Sequence, residues 1–566
     1  MNEEHCSAWA PGLDSEIPSA YQKLETIYRP ENVTSSMSDV REISTLTGLS
    51  HEELVAFRPE RLVVHELLIR ITANIVVNEG EDERALGRDF RVIANTIQSE
   101  YIQPHMEEIT RAHADLHDRV YQLVQKQLGD TLFQTRKPLV EKRSLLWFLR
   151  REGSQKKTGN TETIQEREHR AILAYKKKGL VADDDLEIAV LKSLYRVLGL
   201  IAGTRGYIGS DRSFLAGLVC AHVCNGYGSR MIGLQISPWI EEAIERENYT
   251  RAVYADAPIL ISLKGASAAG KSSLRPMLRQ TLRAQGIDSG DYATISPDIW
   301  RHFLLDYDSL GAAYKYAGRL TGKEVIIIDG KLDRYIRDKS NRDRAIPHLL
   351  VDRFRFDSFS SERIWKILHG TYVQYVDTMY MYFIVTPPEA IVERGWERGL
   401  KTGRYKSVED FLDHSVEAYS GMPKIFFKWL AYDKPLFKYK FLNNDVPKGT
   451  FPATIAFGTQ QEINIISVSE FIDIERYQKI NIKAKSPGQI YPEKIALSID
   501  NNIEFLDQIV KKIPDVNFID RTTNAVYLQV RNGVFHIMNE HIVAEKLEDE
   551  ETAKIFQAIG YQRSQS

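Results

Sequence analysis

The chain is expected to contain an α/β domain on a doubly wound, mostly parallel sheet, preceded by a large all-helical region and followed by a small α+β segment. Three observations predict this. From about residue 250 to 458, short apolar runs alternate with helical patterns. From about 36 to 248, apolar residues recur at helical spacing and strand-like alternation is scarce. Between these regions, the apolar run Ile259–Leu263 leads into G-A-S-A-A-G-K-S, Gly265 to Ser272, and then into Leu274, Met277, Leu278 and Leu282 at helical spacing. Strand, glycine turn, helix is the setting required by the phosphate-binding pattern G-x-x-x-x-G-K-[ST].

At 566 residues the chain is too long for one core, and two to four domains are expected. The boundaries read as an irregular lead-in over 1–35, a helical domain over 36–248, an α/β domain over 250–460 and a smaller region over 461–566. The net charge of −3 argues against whole-protein attraction to nucleic acid or anionic membrane. Three cysteines, Cys6, Cys220 and Cys224, do not make a disulfide framework, which points to a reducing compartment. Cys220 and Cys224 read as buried structural thiols on one helix face. The start, M-N-E-E-H-C, lacks the apolar run of a secretory signal. The longest apolar stretch, Phe214 to Cys224, is far short of the ~20 residues that span a bilayer. The expected location is cytoplasmic, with delivery to another cell by a signal-less route left open.

In chain order, Pro11, Pro18 and Pro30 break up the lead-in. Pro59 opens a helix with Leu62, Val63, Leu67, Leu68 and Ile71 on one face, and Ile93, Ile97 and Ile102 continue the rhythm. Leu116, Val120, Leu123 and Leu128 form another amphipathic face. Residues 136–178 hold thirteen Lys or Arg against five Glu, readable as a nucleic-acid or phospholipid patch or as a solvated linker between helices. The α/β strands are expected at Ile259–Leu263, Tyr292–Ser296, Val325–Asp329, Met379–Val385 and Lys440–Leu442. A hairpin from Val526 to Met538 and a helix from Ala544 to Ile559 close the chain.

The loop defines the fold class as an α/β P-loop NTPase and names a nucleotide ligand. Backbone N–H groups of Gly265, Ala266, Ser267, Ala268, Ala269, Gly270, Lys271, Ser272 and Ser273 can surround phosphate oxygens, as the glycines permit tight turning. Lys271 brings a point charge to the β/γ-phosphates, and the Ser272 hydroxyl can sit on Mg²⁺. The cofactors expected are ATP or GTP, and Mg²⁺.

Four further features bear on what such a site does. S-P-D-I-W-R places Asp298 at a strand end, with Arg301 one turn later; strand carboxyl ends face the ligand crevice in such sheets. The carboxylate can accept a proton from an acceptor hydroxyl and Arg301 can hold an anionic substrate. The same residues also read as a helix N-cap with a surface arginine. V-I-I-I-D-G ends an expected strand on Asp329, a position from which a carboxylate holds Mg²⁺ through water. V-E-R-G-W-E-R-G-L-K-T-G-R-Y interleaves Arg394, Arg398 and Arg404 with Gly395, Gly399 and Gly403, which suits a mobile segment closing over phosphate; plain surface charge is the alternative. Asn443, Asn444 and Asp445 follow the last core strand, where an adenine edge can meet amide groups, or where a turn can form.

The order G-A-S-A-A-G-K-S, S-P-D-I-W-R, I-I-I-D-G, an Arg/Gly lid and N-N-D resembles the zeta-toxin and polynucleotide-kinase-like P-loop kinases, over residues 255 to 460. The resemblance implies that Asp298 is the catalytic base and that Arg301 contacts substrate. It implies that Arg394, Arg398 and Arg404 embrace the phosphates, and that Asp329 lies near Mg²⁺. Zeta toxins phosphorylate nucleotide sugars of cell-wall synthesis, and their relatives phosphorylate nucleic-acid ends or small antibiotics. The chain departs from the pattern in the charged, aromatic stretch Ile336 to Phe359, expected as a loop region after Asp329, and in its long helical N-terminus. The expected function is Mg-dependent phosphoryl transfer from an NTP to a hydroxyl of a small molecule or nucleotide sugar. The alternatives are a nucleic-acid or protein acceptor, and a nucleotide-binding regulator with negligible turnover. Nothing in the sequence fixes the oligomeric state.

Overall fold

A computed structural model describes residues 6–78, 80, 83–134, 163–353, 372–447, 449–491 and 494–562. The chain divides into two compact units. One comprises Met1–Glu25, Leu68–Ile97 and Glu242–Ser566; the other comprises Thr26–Leu67 and Gln98–Glu241. The first therefore draws 68–97 out of the stretch read as one helical domain and takes in everything after 460.

The second unit is helical. Its long elements include Met106–Gln127, Ile164–Val181, Asp185–Arg205 and Arg212–Val223. Side chains of Thr163, Asp184 and Asp211 accept the first free N–H groups of the last three. Tyr175, Leu191, Leu194, Leu198 and Val219 are buried, as are the free thiols Cys220 and Cys224. Of the basic 136–178 segment, 136–162 lie outside the described residues, and the rest is helix.

The first unit is built on a sheet. Its strands are β1 (Ile259–Lys264), β2 (Tyr292–Ile295), β3 (His348–Asp352), β4 (Thr378–Val385), β5 (Leu436–Asn443), β6 (Ala453–Thr459), β7 (Glu462–Ile465), β8 (Asp515–Ile519), β9 (Val526–Arg531) and β10 (Val534–Ile537). Among the described residues these form one mixed sheet, ordered β10-β9-β8-β7-β6-β5-β4-β1-β3-β2. The segment β2-β3-β1-β4-β5 is parallel throughout. Connections leave β1 in opposite directions, toward β2 and β3 on one side and β4 on the other. The crevice beyond the carboxyl end of β1 is thus the topological switch point, where such sheets bind ligands.

The helices that matter for the site are α1 (Arg275–Arg283), α2 (Gly322–Asp343), α3 (Pro388–Thr402) and α4 (Val408–Leu430). The region after 460 does not form a separate layer. Strands β6 to β10 extend the sheet beyond β5, and Phe471 and Phe505 pack with Phe441 of β5 and Phe426 of α4, at 5.1–6.0 Å between ring centroids. Apolar burial on this scale is what merges the two sequence segments into one core.

The structure corrects three element assignments. Val325–Asp329 is not a strand; it lies within α2, where Val325, Ile328, Leu332 and Ile336 are buried at helical intervals. The β-branched run V-I-I-I mimics a buried strand, and only the longer spacing reveals the helix. The third parallel strand is His348–Asp352, inside the stretch read as a loop; of that stretch, 354–359 lie outside the described residues. The closing helix is two helices, Glu540–Lys546 and Glu550–Ala558, with Asp549 capping the second.

Candidate active site

The loop after β1 turns through left-handed backbone at Ala268 (φ 66°) and Gly270 (φ 93°). At Gly270 the conformation and the packing both demand glycine, as a Cβ would lie 2.0 Å from Nδ2 of Asn444. Two side chains brace the loop from below: Asn444 Nδ2 and Thr386 Oγ1 donate to the Ala269 carbonyl at 2.7 and 3.0 Å. Lys271 folds back so that Nζ donates to the carbonyls of Gly265 and Ala266, both at 3.1 Å. Ser272 and Ser273 lie in the single turn Lys271–Leu274 that leads into α1.

Asp298 follows β2 in the short turn Pro297–Trp300, and its carboxylate lies between two arginines. Arg301 Nε donates to Oδ1 at 2.8 Å, and Arg404 Nη2 donates to Oδ2 at 2.7 Å. Arg301 is fixed from behind by the Gly318 carbonyl (2.6 Å) and Thr321 Oγ1 (2.8 Å). Burial acts to raise the pKa of Asp298, but Arg404 and Arg301 prevail and hold it well below the usual carboxylate range. The carboxylate is a poor base while Arg404 stays on it.

Most of the Arg/Gly segment, up to Thr402, is helix α3 rather than a loop, and Arg404 lies just beyond its end. Gly395 and Gly399 are buried where the Phe411 and Tyr405 rings press against the helix, and Cβ atoms there would lie 2.1 and 2.5 Å from those rings. Gly403 ends the helix in left-handed backbone at φ 70°. Arg398 Nη2 reaches Ser267 Oγ of the loop after β1 at 3.4 Å, and Arg404 reaches Asp298. Arg394 does not join them. It donates to the carbonyls of Asn444 (2.7 Å) and Val446 (3.2 Å), so it ties down the strand-end turn. In that turn Asn443 Oδ1 accepts the Asp445 N–H, and Asn444 is the brace under the loop. Neither is thereby arranged around a base.

Asp329 occupies mid-helix in α2, buried, with its carboxylate 2.9 Å from Arg353 Nη2. The acid at a strand carboxyl end beside the loop is Asp352. It closes β3, pairs in register with Leu263 of β1 and lies 3.7 Å from Arg275. Lys264, the last residue of β1, is fully buried beside this network. Burial, then Arg353 and Lys271, lowers its ammonium to about 7, against the pull of Asp352 and Asp329.

Four groups of this neighbourhood were not singled out in the sequence: Asp352, Lys264, and the pair Lys406 and His414, whose Nζ and Nδ1 lie 2.8 Å apart. Lys406 stands one residue beyond the quoted Arg/Gly run, and the alternation R-Y-K was its signal. Asp352 carried the strand-end signal that was assigned to Asp329. A cleft of about 490 Å³ is lined by Arg91, His302, Tyr307, Tyr314, Thr402 and Gly403 among others, and Tyr307 on its wall feels the charges of Arg301, Arg404 and Asp298.

No family model matches this chain, and no curated protein does. Among solved structures it is similar to AvrRxo1-ORF1:AvrRxo1-ORF2 crystallised with sulphate ions, at 16% identity and a TM-score of 0.28, over 38% of this chain and 63% of that one. The AvrRxo1-ORF1:-ORF2 crystal structure with ATP gives 14% identity, a TM-score of 0.28 and the same coverage. The PezAT chromosomal toxin-antitoxin system of Streptococcus pneumoniae gives 15% and 0.25, over 38% of this chain and 80% of that one. The match to the AvrRxo1 chains thus spans less than two thirds of their length, and at these scores it bears no functional weight. Among the described residues no helix is long and apolar enough to cross a membrane.

Proposed function

We propose that this chain is a Mg-dependent phosphotransferase of the P-loop kinase type, moving the γ-phosphate of ATP or GTP to a hydroxyl of a small molecule or nucleotide sugar. One observation carries the reading: a carboxylate at the end of β2, Asp298, is bridged by Arg301 and Arg404 beside a phosphate loop that Arg398 also touches. A binding switch needs the loop alone. A carboxylate and arginines gathered beside it are the parts of transfer.

The acceptor hydroxyl would approach from the cleft along His302 and Tyr307. Its oxygen bonds to the γ-phosphorus as the bond from that phosphorus to the β–γ bridging oxygen breaks. The hydroxyl proton passes to Asp298, and the nucleoside diphosphate leaves. Arg404 has two tasks in sequence. It suppresses the basicity of Asp298 at rest; drawn to the incoming phosphates, it releases the carboxylate to accept a proton. Arg398 and Lys271 neutralise charge on the transferring group, while Arg394 acts through the backbone of the Asn444 turn.

For Mg²⁺, the donor set fits an ion held mostly by phosphates and water: the Ser272 hydroxyl beside the loop and the Asp352 carboxylate at the adjacent strand end. When bound, the ion neutralises charge on the β- and γ-phosphates. Asp329, committed to Arg353, is the weaker candidate.

The test is label transfer from γ-labelled ATP into a deproteinised metabolite extract. Lys271→Ala and Asp298→Ala should each lower the rate about 100-fold or more. Wild-type rates in both would end this reading.

A further inference from the structure

Arg404 to Ser407 link α3 to α4, and both ends of the link are anchored. The Tyr405 ring is buried, 5.5 Å from Trp396 and 5.6 Å from Tyr314 between centroids. Ser407 Oγ caps α4 by accepting the Asp410 N–H at 3.0 Å. Beside these anchors stand Arg404 and Lys406, and Lys406 feels the charges of both Arg404 and Asp298. Arg404 reaches Asp298, and Lys406 Nζ lies 2.8 Å from Nδ1 of His414 on α4.

The groups facing this pair come from every neighbouring element. Lys406 feels Arg398 of α3, Arg404 of the link, and Asp298 and Arg301 from the segment after β2. His414 feels Lys406, Arg319, Lys271 of the phosphate loop and Arg398. Arg319 is already paired with Asp410, its Nε donating to Oδ2 at 3.0 Å. The guanidinium groups of Arg404, Arg301 and Arg398 thus converge on one carboxylate, Asp298, with Lys406 and His414 behind them. That is far more positive charge than one acid balances, and it suits a polyanion such as a nucleoside triphosphate.

We propose that Lys406 is a catalytic residue that contacts the transferring phosphoryl group beside Arg398, and that His414 is the positioning residue that aims it. The proposal rests on the phosphotransferase reading above and adds to it a residue and a protonation step. At rest, burial and then Arg398 push the Lys406 ammonium well below its ordinary range; burial and then Lys406 push the His414 imidazolium down as well. The imidazole is therefore neutral, and its Nδ1 shares a hydrogen bond with Lys406 Nζ. A bound triphosphate reverses the balance around Lys406 and favours its charged form, so nucleotide binding takes up a proton. Lysine serves this better than a third lid arginine, because a guanidinium stays charged and would repel Arg398 and Arg404 at rest.

The experiment uses the full chain with labelled ATP and a deproteinised metabolite extract, comparing wild type, Lys406→Met, Lys406→Arg, Lys271→Ala and Asp298→Ala. Lys406→Met should lower kcat about 100-fold while the KM for ATP changes less than about fivefold, the signature of a contact made mainly in transfer. Lys406→Arg should recover at least about tenfold of that loss. Calorimetry of a non-hydrolysable ATP analogue in buffers of different ionisation enthalpy should show proton uptake in wild type and less in Lys406→Met; a purely structural lysine would leave uptake unchanged. Both lysine variants transferring at wild-type rate, with Lys271→Ala and Asp298→Ala inactive, overturns the role of Lys406 and leaves the phosphotransferase reading standing. Lys271→Ala and Asp298→Ala as active as wild type overturns both. Should Lys406→Met fail to fold, Lys406→Arg decides alone: a pH-rate profile identical to wild type refutes the protonation step.

Discussion

Gly395→Ala tests whether the lid glycines serve packing or motion. In a helix, alanine is favoured over glycine by about 1 kcal/mol, so a glycine kept for flexibility should yield a more stable protein when replaced. The structure predicts the opposite sign. A Cβ at 395 would lie 2.1 Å from Cζ of Phe411 and 2.6 Å from both Cε atoms, whereas carbon atoms rest about 3.5–4.0 Å apart. Helix α3 or the ring must therefore move by about 1.4 Å, the difference between contact and overlap. Phe411 is only 2% exposed, so the ring cannot swing out into solvent without breaking its packing. Overpacking of this kind costs about 1–3 kcal/mol, and so severe an overlap belongs at the upper end. Set against the helix gain, the net expectation is a loss of about 2 kcal/mol. Arg398 lies one turn further along the same helix, so a shift of this size should also lower phosphoryl transfer by about 100-fold. Urea unfolding and label transfer measure the two effects. A Gly395→Ala protein stabilised by about 1 kcal/mol, with unchanged denaturant dependence, would refute the packing argument.

Gly270 in the loop after β1 and Lys264 at the end of β1 each give a further prediction. Gly270→Ala should retain its secondary structure by circular dichroism but bind a fluorescent ATP analogue at least about tenfold more weakly, because left-handed backbone costs a Cβ-bearing residue about 1–2 kcal/mol and the new methyl displaces the Asn444 brace. Lys264, lowered to about 7 in the fold, binds fewer protons there than in the unfolded chain from about pH 7 up to its ordinary pKa; its burial penalty is full below pH 7 and shrinks as pH rises. Stability should therefore gain about 2 kcal/mol from this group between pH 7 and 9, and chemical denaturation of Lys264→Met should lack that gain.

The parallel core was legible wherever an apolar run coincided with a strand, as at β1, β2 and β4, since residues buried on both faces leave a continuous hydrophobic trace. It was misread at α2 because V-I-I-I is β-branched and ends in an acid, which copies the trace of a strand closing on a metal ligand. His348–Asp352 was passed over because its apolar centre is only Leu349, Leu350 and Val351, set among charges. The lid arginines were visible as residues but not as roles. Arg394, Arg398 and Arg404 look alike in sequence, yet they reach a backbone turn, the phosphate loop and Asp298 respectively. The glycines between them suggested mobility because sequence cannot show the rings of Phe411 and Tyr405 lying against them.

By itself the sequence determined the glycine turn after β1, the strands on which its sheet begins, and the acid at position 298 with an arginine one turn on. These are local matters: contiguous residues and their spacing dictate a turn, a strand or an i,i+3 pair. Only the tertiary structure decided which acid closes the strand beside β1, which arginine meets Asp298, that Lys406 and His414 belong to the same cluster, and that the chain after 460 continues the sheet. Those outcomes depend on side chains tens to hundreds of residues apart competing for the same buried volume and the same charges, and that competition is resolved only when the core is packed.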